Sequence, residues 1–147
     1  MMSLSASDFH SPSQFERQLC SVQGKMFELS AKKQLANRDF IDFYMQGQTA
    51  GFFDLPYDRT QWLGEESLLY DVLEEKPDLP HGNVYDSESL FWMGYIYRYW
   101  HFLTGESSRD IAKRQDAETM HALYPAYHTL DCTQAILRIL EAQGVNF

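Results

Sequence analysis

LFWMGYIYRYWHFLTGESS, residues 90–108, decides how this chain folds. Ten of its side chains from Phe91 to Leu103 are apolar or aromatic, and at 100° per residue they cover nearly every angle around a helix. A helix greasy on all sides needs neighbours on several sides. The stretch therefore predicts a helix over 87–104, closed by Gly105, at the centre of a helical bundle. Gly94 inside it gives up about 1 kcal/mol of helix propensity against alanine, which is explicable if a neighbouring helix or a bulky ring comes very close there. Arg98 in the same run must reach water or pair with a carboxylate, because an unpaired buried guanidinium is costly. Glu65, Glu66, Asp71 and Glu88 are the candidate partners.

Working outward, Ser11-Pro12 with Gln14 reads as a capping box opening a first helix, with Phe15, Leu19, Val22, Met26 and Leu29 as its buried stripe. Asn37 caps a second helix that loosens at Gly47 and Gly51 and stops before Pro56. Asp58 with Gln61 opens a third, running to about residue 75 with Trp62, Leu63, Glu66, Leu69, Tyr70 and Leu73. The segment 76–85, with two prolines, Gly82 and Asn83, is loop chemistry. Ser107 with Asp110 starts a fifth helix, expected in two pieces, 108–115 and 117–124, because of Asp116 and Pro125. Asp131 with Gln134 caps the last, closed by Gly144. No run alternates as a strand does. The expectation is an all-α, compact bundle of about six helices around a central aromatic-rich helix, a single domain over 11–147 after a flexible leader over 1–10.

The chain has 147 residues, enough for one core, and 44% are hydrophobic, outside the composition of disordered chains. Twelve basic residues against 21 acidic ones give a net charge of −9. That field repels nucleic acid, whose binding rests on cationic side chains, and favours a basic protein partner. The two cysteines lack metal-ligand spacing, the start MMSLSASDFH lacks the basic and apolar blocks of a signal peptide, and the apolar run is too short and too charged to span a bilayer. A cytoplasmic protein without cofactor, metal or membrane segment is expected; a homo-oligomer is compatible with the same features.

No catalytic set is legible, and the catalytic residues are entered as unknown. Zinc spacings, phosphate-binding glycine loops and nucleophile elbows are missing, and Glu65 and Glu66 point about 100° apart on a helix, so they do not grip one ion. Tyrosine, tryptophan and arginine anchor protein interfaces, and the chain has nine tyrosines and three tryptophans. Tyr95, Arg98, Tyr99 and His101, with Tyr124, Tyr127 and His128, are the candidate partner-binding residues. An enzyme, a hydrolase or nuclease, is the alternative, assembled from Arg98, His101, Glu66 and His128. Arg114 and His121 match the arginine–histidine spacing of HEPN-type endoribonucleases in two residues only, with Gln115 where a different polar residue normally follows. A small-molecule or peptide sensor walled by the aromatic helix is the third reading.

The segments GKMFELS (24–30), YDRTQWLGEESLL (57–69), LFWMGYIYRYWHFLTGESS and YHTLD (127–131) resemble those of a family of small bacterial proteins found in toxin–antitoxin-like gene pairs, over about residues 11–140. That resemblance implies a role as an antidote or partner protein and carries no catalytic residue with it.

Overall fold

The computed structural model describes residues 8–146, and among these the chain is all-α. Helix α1 spans Gln14–Lys32, α2 Asn37–Gln46, α3 Gln48–Phe53, α4 Gly64–Glu75, α5 Ser87–Thr104, α6 Ser108–Arg114, α7 Ala117–Tyr127 and α8 Cys132–Ala142, with a 3₁₀ turn at Arg59–Gln61. The only extended pairing among the described residues is an isolated bridge between Leu35 and His81. Most of the expected leader, residues 1–7, lies outside the described residues. The described end of that segment is tied down, since the His10 N–H donates to the Leu103 carbonyl at 3.3 Å.

Helix α5 has the expected limits. Asp86 accepts from the Ser89 N–H at its start, and Gly105 at φ 80° ends it in the left-handed conformation that favours glycine. Eleven of its 18 residues are buried, so one neighbour could not cover it: α1, α6, α7 and α8 all pack against it. Helix α1 lies closest, because Gly24 and Gly94 face one another and the two backbones touch there.

Several boundaries differ from expectation, each for a local reason. Ser13 and Glu16, not Ser11 and Gln14, form the capping box of α1; a carboxylate at that position also complements the positive end of the helix dipole. The buried face of α1 is consequently Leu19, Cys20, Gln23, Gly24, Met26, Phe27 and Ser30, and Phe15 points outward. The second expected helix is two, α2 and α3, because Gly47 turns extended and the Glu75 carboxylate caps the new start, accepting from the N–H groups of Gln48 and Thr49 at 2.8 and 3.0 Å. Asn37 is not the cap of α2 but its first residue; its buried side chain donates to Ser30 Oγ and accepts from the Tyr85 N–H, clamping the 76–86 loop onto α1 and α2. The third expected helix breaks at Gly64, whose φ of 85° ends the 3₁₀ corner before α4 begins.

The fifth expected helix is in two pieces, as its sequence indicated. Asp116 caps the second piece through the Thr119 N–H, and Pro125 sits in the last turn of α7 instead of ending it. Asp131 caps α8 through the Gln134 N–H.

Candidate functional site

Arg98 stands on the side of α5 that meets α1, α2, α3 and α6, and none of it is exposed. Its expected carboxylate partners are wrong. The guanidinium donates to Asp54 Oδ1 at 2.5 Å, and Asp54 is the C-cap of α3, a residue legible in the sequence only as part of a helix stop. Glu66 lines a separate notch with Lys33 and Tyr70, Asp71 pairs with Arg59 at 3.6 Å, and Glu88 accepts from the Tyr124 hydroxyl at 3.4 Å. Glu65 lies in the first turn of α4 and is not among the groups bonded to Arg98.

The remaining donors of Arg98 are also used. Gln23 Oε1 accepts from Nε at 3.1 Å and Nη2 at 2.9 Å, and Ser108 Oγ accepts from Nη2 at 3.1 Å. Gln23 also accepts from the Tyr44 hydroxyl at 2.6 Å and donates to the Gly94 carbonyl at 2.8 Å. Ser108 donates its hydroxyl to Asp54 Oδ1 and its N–H to Oδ2, at 2.6 and 2.9 Å. The Phe53 ring lies 4.5 Å from the guanidinium carbon, a cation–π distance. Five helices thus meet at one satisfied polar knot, the condition under which a buried charge is tolerated. Burial pushes the Tyr44 hydroxyl up to about 12, so it stays a neutral donor.

The knot surfaces on one side only, through Asp54 and His101. His101 Nδ1 is 2.7 Å from the Glu106 carbonyl, and since a carbonyl only accepts, Nδ1 carries the proton and Nε2 keeps its lone pair. Glu106 is itself fixed, accepting from Trp100 Nε1 at 2.8 Å and Arg114 Nε at 2.6 Å. Burial, then the nearby Arg98 charge, push the imidazole below its usual value against the pull of Asp54, so His101 is neutral at pH 7. Desolvation alone would raise the Asp54 carboxyl, but Arg98, His101 and the Ser108 bonds together hold it below the ordinary value.

Both shifts make acid unfavourable to the fold. Between its lowered folded pKa and the ordinary 6.5, His101 binds fewer protons folded than unfolded, so its contribution is complete above 6.5 and lost as pH falls through the folded value. Asp54 behaves likewise below 3.8. Urea-unfolding stability is expected to decline from about pH 7 towards pH 5, and His101→Gln, which can still donate to Glu106, is expected to flatten that decline. An unchanged slope in the variant would mean that His101 is not the responsible group.

Above Asp54 and His101 opens a groove of about 590 Å³. Phe15, Tyr57, Trp62 and Phe102 wall it, and Glu16 and Gln61 stand at its sides. Trp62 is 63% exposed and Tyr57 89%, while the Phe15 and Trp62 rings lie 5.2 Å apart. Phe15 is expected on the buried stripe of the first helix, yet it lies one turn ahead of Leu19, the first buried residue of α1, and Trp62, expected inside the third helix, sits in the corner before Gly64. Tyr57 holds φ 69°, a left-handed conformation that is uncommon for a bulky residue and strained outside functional corners.

Of the candidate partner-binding residues, Arg98 and Tyr99 are buried and are corrected: neither presents a surface to a partner. Tyr99 instead hydrogen-bonds Thr133 of α8 at 2.9 Å. Tyr127 is half-buried against the core. Tyr95, Tyr124 and His128 share a shallower groove of about 270 Å³ with Trp92 and Glu88, and only His101 reaches the larger one. The enzyme set does not converge: Arg98 and His101 meet through Asp54, but Glu66 and His128 line other grooves. The Arg114–His121 pair is split between α6 and α7, with Arg114 bound to Glu106 and His121 stacked on Tyr85 at 3.7 Å, which removes the HEPN-like arrangement. Among the described residues no group of three or more His, Cys, Asp or Glu side chains is placed to hold a metal ion, and no helix is long and apolar enough to cross a membrane.

The chain matches no protein-family model, no curated protein and no solved structure.

Proposed function

We propose that this chain is an interaction protein which docks a basic partner protein on the Phe15–Tyr57–Trp62 rim, in the manner of an antitoxin that neutralises its toxin by direct contact. One observation carries the reading: large aromatic side chains of two separate chain segments stay exposed around one groove, on a protein of net charge −9. Exposed apolar clusters of this kind mark binding surfaces, and tryptophan and tyrosine are the residues that most often anchor them. The acidic field speeds the approach of a basic partner and repels nucleic acid. Both cysteines are free thiols, Cys20 buried and Cys132 half-buried, which suits work in a reducing cytoplasm.

A tagged chain expressed in its own host is expected to bring down one basic protein in stoichiometric amount. Trp62→Ala is expected to weaken that complex by at least about 30-fold, the effect of losing a central aromatic anchor worth roughly 2 kcal/mol. Recovery of the chain alone, or equal capture by the variant, contradicts the proposal.

A further inference from the structure

The chemistry of the groove narrows what enters it. Its polar lining holds acceptors: the Glu16 carboxylate, whose Oε1 accepts from the Ser13 N–H, and the Oε1 of Gln61, whose amide nitrogen is used on the Phe53 carbonyl at 3.0 Å. No lysine or arginine lines it, and the one guanidinium beneath, Arg98, is turned into the knot and fully buried. The walls are aromatic faces. An anion finds neither lysine nor arginine here, and a neutral apolar chain would leave the acceptors without partners.

We infer that the groove receives an arginine side chain of the partner, its guanidinium stacked on Trp62 and donating to Glu16 and to the neighbouring acceptors. This rests on the docking surface proposed above and specifies the group that fills it. A guanidinium has donors only, five of them in a plane, and it stacks on rings; an ammonium is compact, more strongly hydrated and matches only the charge. The neutral state of His101 matters for the same reason, since a protonated imidazole would put a like charge beside the guanidinium. Asp54 contributes little net charge, because Arg98 balances it, so Glu16 is the carboxylate that distinguishes a cation from its neutral isostere.

The test uses the intact chain and a small probe, acetyl-arginine methylamide, followed by NMR at the Trp62 indole N–H and the His101 ring. Saturable shifts at both are expected, with the lysine analogue at least fivefold weaker and the uncharged citrulline analogue weaker still. Glu16→Gln keeps the capping box, because an amide oxygen still accepts from Ser13, and is expected to weaken the arginine probe at least fivefold while lowering the thermal midpoint by no more than about 5 °C, the effect of losing the charge–dipole interaction. Equal binding of the arginine and citrulline probes, no effect of Glu16→Gln, or shifts confined to the Trp92–Tyr124 groove overturns the inference. If the arginine probe fails while Trp62→Ala still releases the partner, the groove docks a different group and only this inference falls; if Trp62→Ala also keeps the partner, the docking surface falls with it.

Discussion

Replacing Arg98 by alanine is expected to cost roughly 3–5 kcal/mol of folding stability, the range for removing one member of a buried ion pair. Most of the loss comes from what is left behind. Asp54, only 10% exposed at its side chain, keeps a negative charge with its counter-ion gone, and Gln23 Oε1 loses two of its three donors. The void beside the Phe53 ring adds to this. Lysine is expected to recover only part, since one ammonium group cannot reach Asp54, Gln23 and Ser108 together as the planar fork does. Pairing Arg98→Met with Asp54→Ala is expected to cost less than the two single losses added, by about 1–3 kcal/mol, because neither charge is then stranded. Urea unfolding of the parent, Arg98→Ala, Arg98→Lys, Arg98→Met, Asp54→Ala and the double variant measures this. A loss under about 1 kcal/mol for Arg98→Ala would mean that water reaches the knot and that it does not organise the fold.

The second large effect is at Gly94, where two physical arguments oppose each other. Alanine in a helix interior should gain about 1 kcal/mol over glycine. A methyl group here would stand 2.6 Å from Gly24 Cα and 2.7 Å from the Gln23 carbonyl oxygen, both backbone atoms that no rotamer change can move. Helices α1 and α5 must then separate, loosening the Gln23 bond to the Gly94 carbonyl and, through Gln23, the hold on Arg98. Overpacking of this kind costs roughly 1–3 kcal/mol and more where backbone cannot yield, so Gly94→Ala is expected to lose about 3 kcal/mol net. Gly51, where an added methyl group meets nothing within 4 Å, is the control: Gly51→Ala is expected to be neutral or stabilising. A Gly94→Ala protein as stable as the parent would show that the crossing is looser than described.

These two positions also show what the sequence makes legible. The limits of α5 are local matters of an Asp86 cap and a Gly105 stop, and the close approach at Gly94 follows from a glycine standing where alanine would serve a helix better. The partner of Arg98 is not local. Asp54 lies 44 positions away at the end of a short helix, and nothing in its surroundings separates it from a simple helix stop. The groove was hidden by a different error. Helical periodicity puts Phe15 on the stripe of Leu19 and Met26 but does not show where the neighbours stop covering that stripe, and it carries Trp62 into a helix that begins only at Gly64. A sharper signal was present in Gln23: a polar residue on the most tightly packed face of α1 implies a buried partner that needs it.

Hydrogen–deuterium exchange on the chain alone and on the complex recovered with its partner tests the central claim, that the aromatic rim over Asp54 and His101 is the docking surface. New protection is expected at the amides of residues 13–19 and 57–63, with α7 and the Trp92 edge of α5 unchanged. Protection gathered on α7 and around Trp92 instead, with 57–63 exchanging as in the free chain, would contradict the account.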